Sequence, residues 1–316
     1  MKNLNPTSST SEATSRYANI LLDYWFKRSF GTESGKRLMI LTLREILPDA
    51  DISDITYGNK EHPNPFPDSH GVIFDIECTS GDGSRFIVEV QLARQAWFME
   101  RALFYSSFAI QEQVIQGRES YGFMPVYFIA LMDFSLHPGD DGRFVYRYNL
   151  LDINTGELMT DRISYTFLEL PKVRSITDQS SNLEKLCYAL HNMTVLKSRP
   201  PEMAAEIFEL LFSSAEIAKF APEEKIRYEY DMTTERDIRN QIAYGREEGR
   251  EEGLAEGLEK GRAEGLEKGR AEGLEKGRTE GLEKGRAEGK AEERRLIMMK
   301  LKEKGFSDEE VASLLS

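Results

Sequence analysis

Two short runs of alternating polar and apolar residues, 72–79 and 85–92, carry the acidic side chains whose spacing best suits chemistry. The residues that join them, Ser-Gly-Asp-Gly-Ser at 80–84, are typical of a β-hairpin turn. If the loop has three residues, Asp75 lies directly opposite Glu89, and both side chains point to one face. A two-residue turn at 82–83 would shift the register and separate the two acids.

The two faces of this hairpin differ in chemistry. One face is apolar, at positions 74, 76, 78, 86, 88, 90 and 92, as expected for a hairpin that packs on a core. The other face holds Asp75, Glu77, Glu89 and Gln91, and within it only Arg85 at the turn end is positive. Carboxylates directly opposed across strands repel each other. A divalent cation such as Mg²⁺ would offset this repulsion and activate water, whereas the alternative is the solvated face of an edge hairpin.

Hydrophobic periodicity predicts the elements that position the hairpin. Helical patterns occupy residues 17–30, 34–47, 93–116 and 182–244, the last interrupted by prolines. Strand-like runs occupy residues 126–134, 143–152 and 162–170. Helical patterns before and after the hairpin in the chain, followed by further strands, predict a mixed α/β core.

Composition restricts the class of protein. The 316 residues are 40% hydrophobic, enough for a domain with a buried core plus an appendage. No apolar run is long enough to span a bilayer and the first residues lack a secretory h-region, so we expect a cytoplasmic protein without a membrane partner. Two distant cysteines and four histidines argue against a zinc site. The net charge of −13 means that a nucleic-acid binder of this composition needs a local source of positive charge, such as a metal ion.

A repeat follows, with glycine at every fourth position from Gly245 to Gly289. Glu–Lys pairs at i,i+4 within it favour a helix by about 0.2–0.5 kcal/mol each, but each interior glycine costs about 1 kcal/mol relative to alanine. An isolated helix is therefore expected to be marginal. The repeat is either a stalk for self-association or a low-complexity spacer, and its sequence favours the spacer. Residues 291–304 are predicted to be helical, and a capping box at 307–310 predicts a final short helix.

Asp75, separated by thirteen residues from Glu89-Val90-Gln91, resembles the PD-(D/E)XK nuclease signature. More narrowly, the chain is similar to the Rpn family, the recombination-promoting nucleases that are also called PD-(D/E)XK family transposases. Further matching segments lie at residues 23–27, 81–83 and 101–106 and in the glycine-rich tail, so that the resemblance covers roughly residues 17–290.

This resemblance implies a restriction-endonuclease-like fold and Mg²⁺-dependent hydrolysis of DNA phosphodiester bonds, with Mn²⁺ or Ca²⁺ as alternative ions. It assigns the side chains of Asp75 and Glu89 and the Val90 backbone carbonyl as metal ligands. Gln91 occupies the position of the motif's lysine. A lysine there would orient or activate the attacking water as a cation, whereas glutamine can only form hydrogen bonds.

Other residues are secondary candidates. Asp23 either joins the metal site or forms an i,i+4 ion pair with Lys27. Glu77 either holds a second ion or is a solvated strand residue. The literal dipeptide Pro67-Asp68 lies in a proline-rich loop and is interpreted as a coincidence. Four residues at and after the start of the third helix are candidate DNA contacts: Arg94, Gln95, Arg101 and Tyr105.

The sequence thus predicts five segments: a disordered tail (1–16), a nuclease-like core (17–171), a helical extension (172–244), the repeat (245–290) and a small helical module (291–316). The predicted function is metal-dependent DNA cleavage, serving recombination or directed at mobile or foreign DNA. The alternative is a weak or inactive nuclease fold that binds nucleic acid or protein and forms a homo-oligomer through the repeat.

Overall fold

The computed structural model describes residues 15–58, 61–62, 72–115, 122–140, 142–305 and 307. The chain divides into two units, Met1–Met232 and Thr233–Ser316, which are treated separately. The dipeptide Pro67-Asp68 and most of the predicted final helix lie outside the described residues. Within the described part, every helix is too short or too polar to cross a membrane.

A six-stranded mixed sheet forms the centre of the first unit, in the order β1-β4-β5-β6-β8-β7. Strands β4 and β5 are antiparallel, β6 lies parallel to both β5 and β8, and β7 is antiparallel to β8. The hairpin of β4 and β5 is therefore internal to the sheet. The sheet strands are β1 (Ile55–Tyr57), β4 (Ile76–Ser80), β5 (Arg85–Gln91), β6 (Val126–Met132), β7 (Val145–Leu151) and β8 (Leu158–Glu169); β2 (Glu61–His62) and β3 (Val72–Ile73) form a separate pair.

Helices cover both faces of this sheet. One apolar cluster joins a sheet face, through residues such as Cys78 and Val88, to four helices. A second cluster joins the opposite face, including Ile87, to a further helix through Phe98 and Ala102. Phe74 belongs to this second cluster, so its predicted place on the apolar face with Ile76 is wrong, because the predicted strand 72–79 is interrupted and β4 begins only at Ile76. The acidic face of the hairpin is thus partly covered, and the interpretation of a solvated edge hairpin is wrong. The four helices are α1 (Asp23–Phe30), α2 (Lys36–Ile46), α4 (Asn182–Asn192) and α5 (Glu206–Ala215); α3 (Phe98–Ile115) covers the second face.

Two helices begin later than the sequence pattern predicts. The first starts at Asp23 rather than at residue 17, because Tyr17 forms a β-bridge with Glu216 and the Ala18 N–H donates to the Ala215 carbonyl at 2.8 Å. The apolar residues before Asp23 are buried in a segment that forms this bridge and then a turn at residues 20–21, and their spacing resembles that of a helix. The third helix starts at Phe98 rather than at residue 93.

The last helix, α6 (Pro222–Glu303), runs without interruption through the glycine repeat. The sequence predicts only a marginal isolated helix here, and i,i+4 pairs such as Glu256–Lys260 at 3.7 Å are present. A Cβ added at any repeat glycine would meet nothing within 4 Å in the described chain, apart from the helix's own neighbouring backbone. Close packing within this chain therefore does not explain the glycines, and the choice between stalk and spacer stays a prediction.

Candidate active site

The hairpin turn sets the register of the acidic residues. The Ser80 N–H donates to the Ser84 carbonyl at 2.9 Å, which closes a three-residue loop whose last residue, Gly83, has a φ of +88°. Such a φ suits glycine because it has no Cβ. Ile76 pairs with Val88, and extending this register by one residue places Asp75, which directly precedes β4, opposite Glu89. The predicted three-residue loop is confirmed.

The ladder between the two strands changes at this pair. Strand β4 begins only at Ile76, and the Val90 N–H, one ladder position further, donates to Asp75 Oδ2 at 2.8 Å. In return, the Asp75 N–H donates to Glu89 Oε1 at 3.1 Å. At the start of β4, side-chain oxygens of Asp75 and Glu89 therefore take the place of backbone carbonyls as hydrogen-bond acceptors. This exchange holds the two carboxyl groups against each other and against the Val90 backbone.

The two acids are costly to ionise together. Burial raises the pKa of Asp75, while the Val90 N–H and the Lys27 ammonium oppose that rise. Glu89 is only 4% exposed, and its burial, together with the charge of Asp75, raises its pKa to about 8. The Asp75 N–H and the positive charges of Arg101 and Lys27 act in the opposite direction. The pair therefore favours any ligand that brings positive charge to its oxygens.

Lys27 is a member of this site that the sequence interpretation missed. Its Nζ lies 2.5 Å from Asp23 Oδ1 and 3.6 Å from Asp75 Oδ1. Burial lowers the pKa of Lys27, but the two acids outweigh burial and the pKa is raised. A cation from α1, outside the hairpin, therefore lies beside Asp75. The two interpretations of Asp23 are compatible, since Asp23 forms the i,i+4 ion pair and that pair borders the site. The spacing of four residues between Asp23 and Lys27 in α1 was the sequence feature from which Lys27 could have been identified.

Glu77 has a different environment. It is 4% exposed, and its Oε1 lies 3.3 Å from Arg85 Nη1, which also lies 2.6 Å from Glu112 Oε2. The interpretation of Glu77 as a solvated strand residue is wrong. Its charge is already paired within the protein, so nothing here requires a second ion at Glu77.

Helix α3 brings Arg101 and Tyr105 to the same region. Arg101 Nη1 donates to Gln95 Oε1 at 2.5 Å, and its guanidinium lies 5.7 Å from the Tyr105 ring centre. Arg101 Nη2 is buried and has no hydrogen-bond partner among the described residues. The Tyr105 ring packs edge-on against Phe74 at 5.5 Å, and burial, with the charges of the two acids, raises its pKa. Arg94 is exposed, and no contact of its side chain connects it to the site in the described chain.

The donor atoms at the end of β5 suit a hard cation. The Gln91 carbonyl accepts from the Asp133 N–H at 2.8 Å, on the β6 side of the strand. The Val90 carbonyl must face the opposite side, towards Asp75, because successive residues of a strand alternate. Gln91 is half-buried, and the same alternation places its side chain on the face of Glu89.

The described residues contain no group of three or more His, Cys, Asp or Glu side chains arranged for a metal. A metal at this site would therefore rely on two carboxylates, one backbone carbonyl and water. That set of oxygen ligands fits the preference of Mg²⁺ for few protein carboxylates and several waters.

Comparison with known proteins agrees with this arrangement. Residues 20–245 match the family model described as PD-(D/E)XK nuclease family transposase. No curated protein and no solved structure matches the chain significantly. The matched region contains α1, the acidic hairpin and α3. Because the family model spans more than half of the chain, the protein belongs to the PD-(D/E)XK nuclease family transposases.

Proposed function

We propose that this protein is a metal-dependent DNA endonuclease whose site is formed by Asp75, Glu89, Val90 and Gln91. The observation that carries the proposal is the close approach of the partly buried Asp75 to the buried Glu89, whose Oε1 accepts from the Asp75 N–H at 3.1 Å. A fold gains nothing in stability from two carboxyl groups held together with little access to solvent, so their presence favours a role in binding a cation. Membership of a nuclease family supports phosphodiester hydrolysis as the reaction.

The side chains of Asp75 and Glu89 and the Val90 carbonyl would hold the ion, with Mg²⁺ as the first choice and Mn²⁺ or Ca²⁺ as alternatives. A divalent ion at this position lowers the pKa of water and stabilises negative charge on phosphate oxygens. The Gln91 side chain orients the attacking water through a hydrogen bond, as an uncharged substitute for a lysine. The Arg101 guanidinium, whose buried Nη2 has no hydrogen-bond partner among the described residues, would turn outwards to bind a phosphate oxygen of the DNA.

Lys27 has a role in the metal-free protein. Its ammonium lies 3.6 Å from Asp75 and partly neutralises the acid pair. Once Asp75 held a cation, this neutralisation by Lys27 would no longer be needed, and Lys27 would keep its ion pair with Asp23.

The test is cleavage of supercoiled plasmid by the full chain with Mg²⁺, Mn²⁺, Ca²⁺ or EDTA. Asp75→Asn keeps an oxygen that accepts from Val90 but removes the charge, and we expect it to abolish cutting. The matched control is Asp161→Asn, because the Asp161 side chain is 82% exposed and lies outside the site. Metal-dependent cutting by the wild type and by the control, but not by Asp75→Asn, supports the site. A folded Asp75→Asn variant that cuts at the wild-type rate contradicts it.

Gln91 also supports a second candidate function. Since glutamine cannot supply the positive charge of a lysine, this chain is alternatively a weak or inactive nuclease fold that binds DNA or a protein partner. In that case the repeat would serve oligomerisation. If the folded protein binds plasmid but does not cut it in the presence of any of the metals, this second function is favoured. A role in recombination or against foreign DNA belongs to the first.

A further inference from the structure

An exposed tryptophan lies beside the candidate active site. Trp97 directly precedes α3, and 76% of its surface is accessible to solvent. The only other tryptophan of the chain, Trp25, is fully buried in an aromatic cluster with Phe220 and Tyr228. The Trp97 ring therefore contributes little to the core of the first unit.

The backbone at Trp97 is strained. Its φ is +60°, and within the described chain it is the only residue other than glycine with a positive φ. A large side chain in this left-handed region costs about 1–2 kcal/mol, and glycine or asparagine is the usual occupant. The Trp97 carbonyl accepts from the Arg101 N–H at 2.9 Å, which fixes the residue to the first turn of α3. The fold thus holds a rigid, outward-facing indole at a cost that packing does not explain.

The neighbourhood of Trp97 contains an unused donor. Arg101, one helical turn further along, has a buried Nη2 with no partner among the described residues, and its charge acts on Glu89. The hydrogen bond from Arg101 to Gln95 ties the guanidinium to the segment that precedes Trp97. Four residues of helix rise about 6 Å. A phosphate held by Arg101 and a base that contacts Trp97 can therefore belong to neighbouring nucleotides.

We propose that Trp97 stacks on an unpaired base of the DNA strand whose phosphate is held by Arg101, so that DNA with unpaired bases is the preferred substrate. This inference rests on the proposed function. Every base offers a π-face to an exposed aromatic ring, so such stacking needs no particular sequence. A protein partner that covered only the apolar ring would leave the Arg101 donor unfilled, which is why a nucleotide strand fits this surface better.

Binding in EDTA tests the inference without cleavage. The full chain is titrated with a single-stranded oligonucleotide and with a blunt duplex, and intrinsic tryptophan emission is recorded beside fluorescence anisotropy of labelled DNA. We expect Trp97→Ala to weaken single-strand binding by about five- to 150-fold, which is about 1–3 kcal/mol, and to leave duplex binding unchanged. Trp97→Phe should retain most of the affinity. It should also lose the DNA-dependent change in emission, because Trp25 is buried.

A matched control and four outcomes decide the question. Ile153→Ala also removes an exposed apolar side chain, 95% accessible at the β7–β8 turn, and should bind like the wild type. Equal single-strand affinity of Trp97→Ala and the wild type overturns the inference. Equal loss on single strand and duplex also overturns it, as does a change of molecular mass in Trp97→Ala, which would make the surface a protein interface. If the wild type binds single strands through Trp97 but cuts no DNA with any metal, the inference holds and the proposed function fails.

Discussion

Replacement of Glu89 by glutamine should stabilise the metal-free protein. Glutamine has the same length as glutamate and keeps an oxygen that can accept from the Asp75 N–H, a hydrogen bond of 3.1 Å in the wild type. The substitution removes the charge that burial and Asp75 disfavour. The change therefore isolates the electrostatic cost of the acid pair from its packing.

The magnitude follows from the pKa of Glu89. In the unfolded chain the pKa is the ordinary 4.5, and in the folded protein it is raised to about 8. At pH 7 the unfolded carboxyl is ionised and the folded one mostly protonated. The intervening interval of about 2.5 pH units is worth about 3 kcal/mol against folding. Because Glu89 is 4% exposed, solvent screening does not reduce this figure much.

The sign of the pH dependence is fixed by the direction of the shift. An acid whose pKa is raised on folding disfavours the folded state increasingly as pH rises from 4.5 to 8. The free energy of unfolding of Glu89→Gln should therefore exceed that of the wild type by about 3 kcal/mol at pH 7 and by about 5 kcal/mol at pH 8.5. Near pH 4.5 the difference should largely vanish.

Urea denaturation in EDTA, followed by circular dichroism at several pH values, measures this difference. Both proteins share every other titrating group, so subtraction of the two curves reports Glu89 together with its effect on the neighbouring Asp75. Asp161→Asn, with an exposed carboxylate, serves as the control and should show no such trend. Parallel curves for wild type and Glu89→Gln, or a variant that is less stable at pH 8, would refute the argument that the pair is electrostatically strained.

Two further predictions concern other parts of the chain. Glu169 is fully buried, and its Oε2 lies 3.0 Å from Lys172 Nζ. Glu169→Ala should therefore lower the free energy of unfolding, measured in urea, by about 3–5 kcal/mol. The control Glu157→Ala, at an exposed position, should have little effect. Although burial opposes it, bonds from Ser135, His137 and Lys172 lower the pKa of Glu169, so this contribution should be lost only as pH falls below about 4.5. In α6, Gly265→Ala with Gly269→Ala should increase helicity at 222 nm, because each change favours the helix by about 1 kcal/mol and an added Cβ would meet nothing within 4 Å outside the helix's own neighbouring backbone; lower helicity would contradict this.

The sequence alone determined the geometry within the hairpin. A three-residue loop ending in Gly83 fixes which residues of β4 and β5 are opposed, and alternation fixes which of them share a face, since these are local properties of the chain. The contact between Asp75 and Glu89 was therefore predictable, whereas the packing of Phe74 against α3, just before β4, was not. The strands after α3 were predictable because each is a short, continuous segment with its own residue pattern. The resemblance to the nuclease family was predictable because its motifs are also short, continuous segments.

Contacts between distant segments were decided only by the tertiary structure. The approach of Lys27 to Asp75, the cover that α3 lays over the acidic face and the pairing of Glu77 with Arg85 and Glu112 all depend on how separate elements pack. The non-helical segment before Asp23 also depends on packing, because its partners lie about two hundred residues away, at Ala215 and Glu216. Periodicity reports that a residue is buried, but the identity of its neighbours, and hence the charge and pKa of a buried acid, is set by the packed fold.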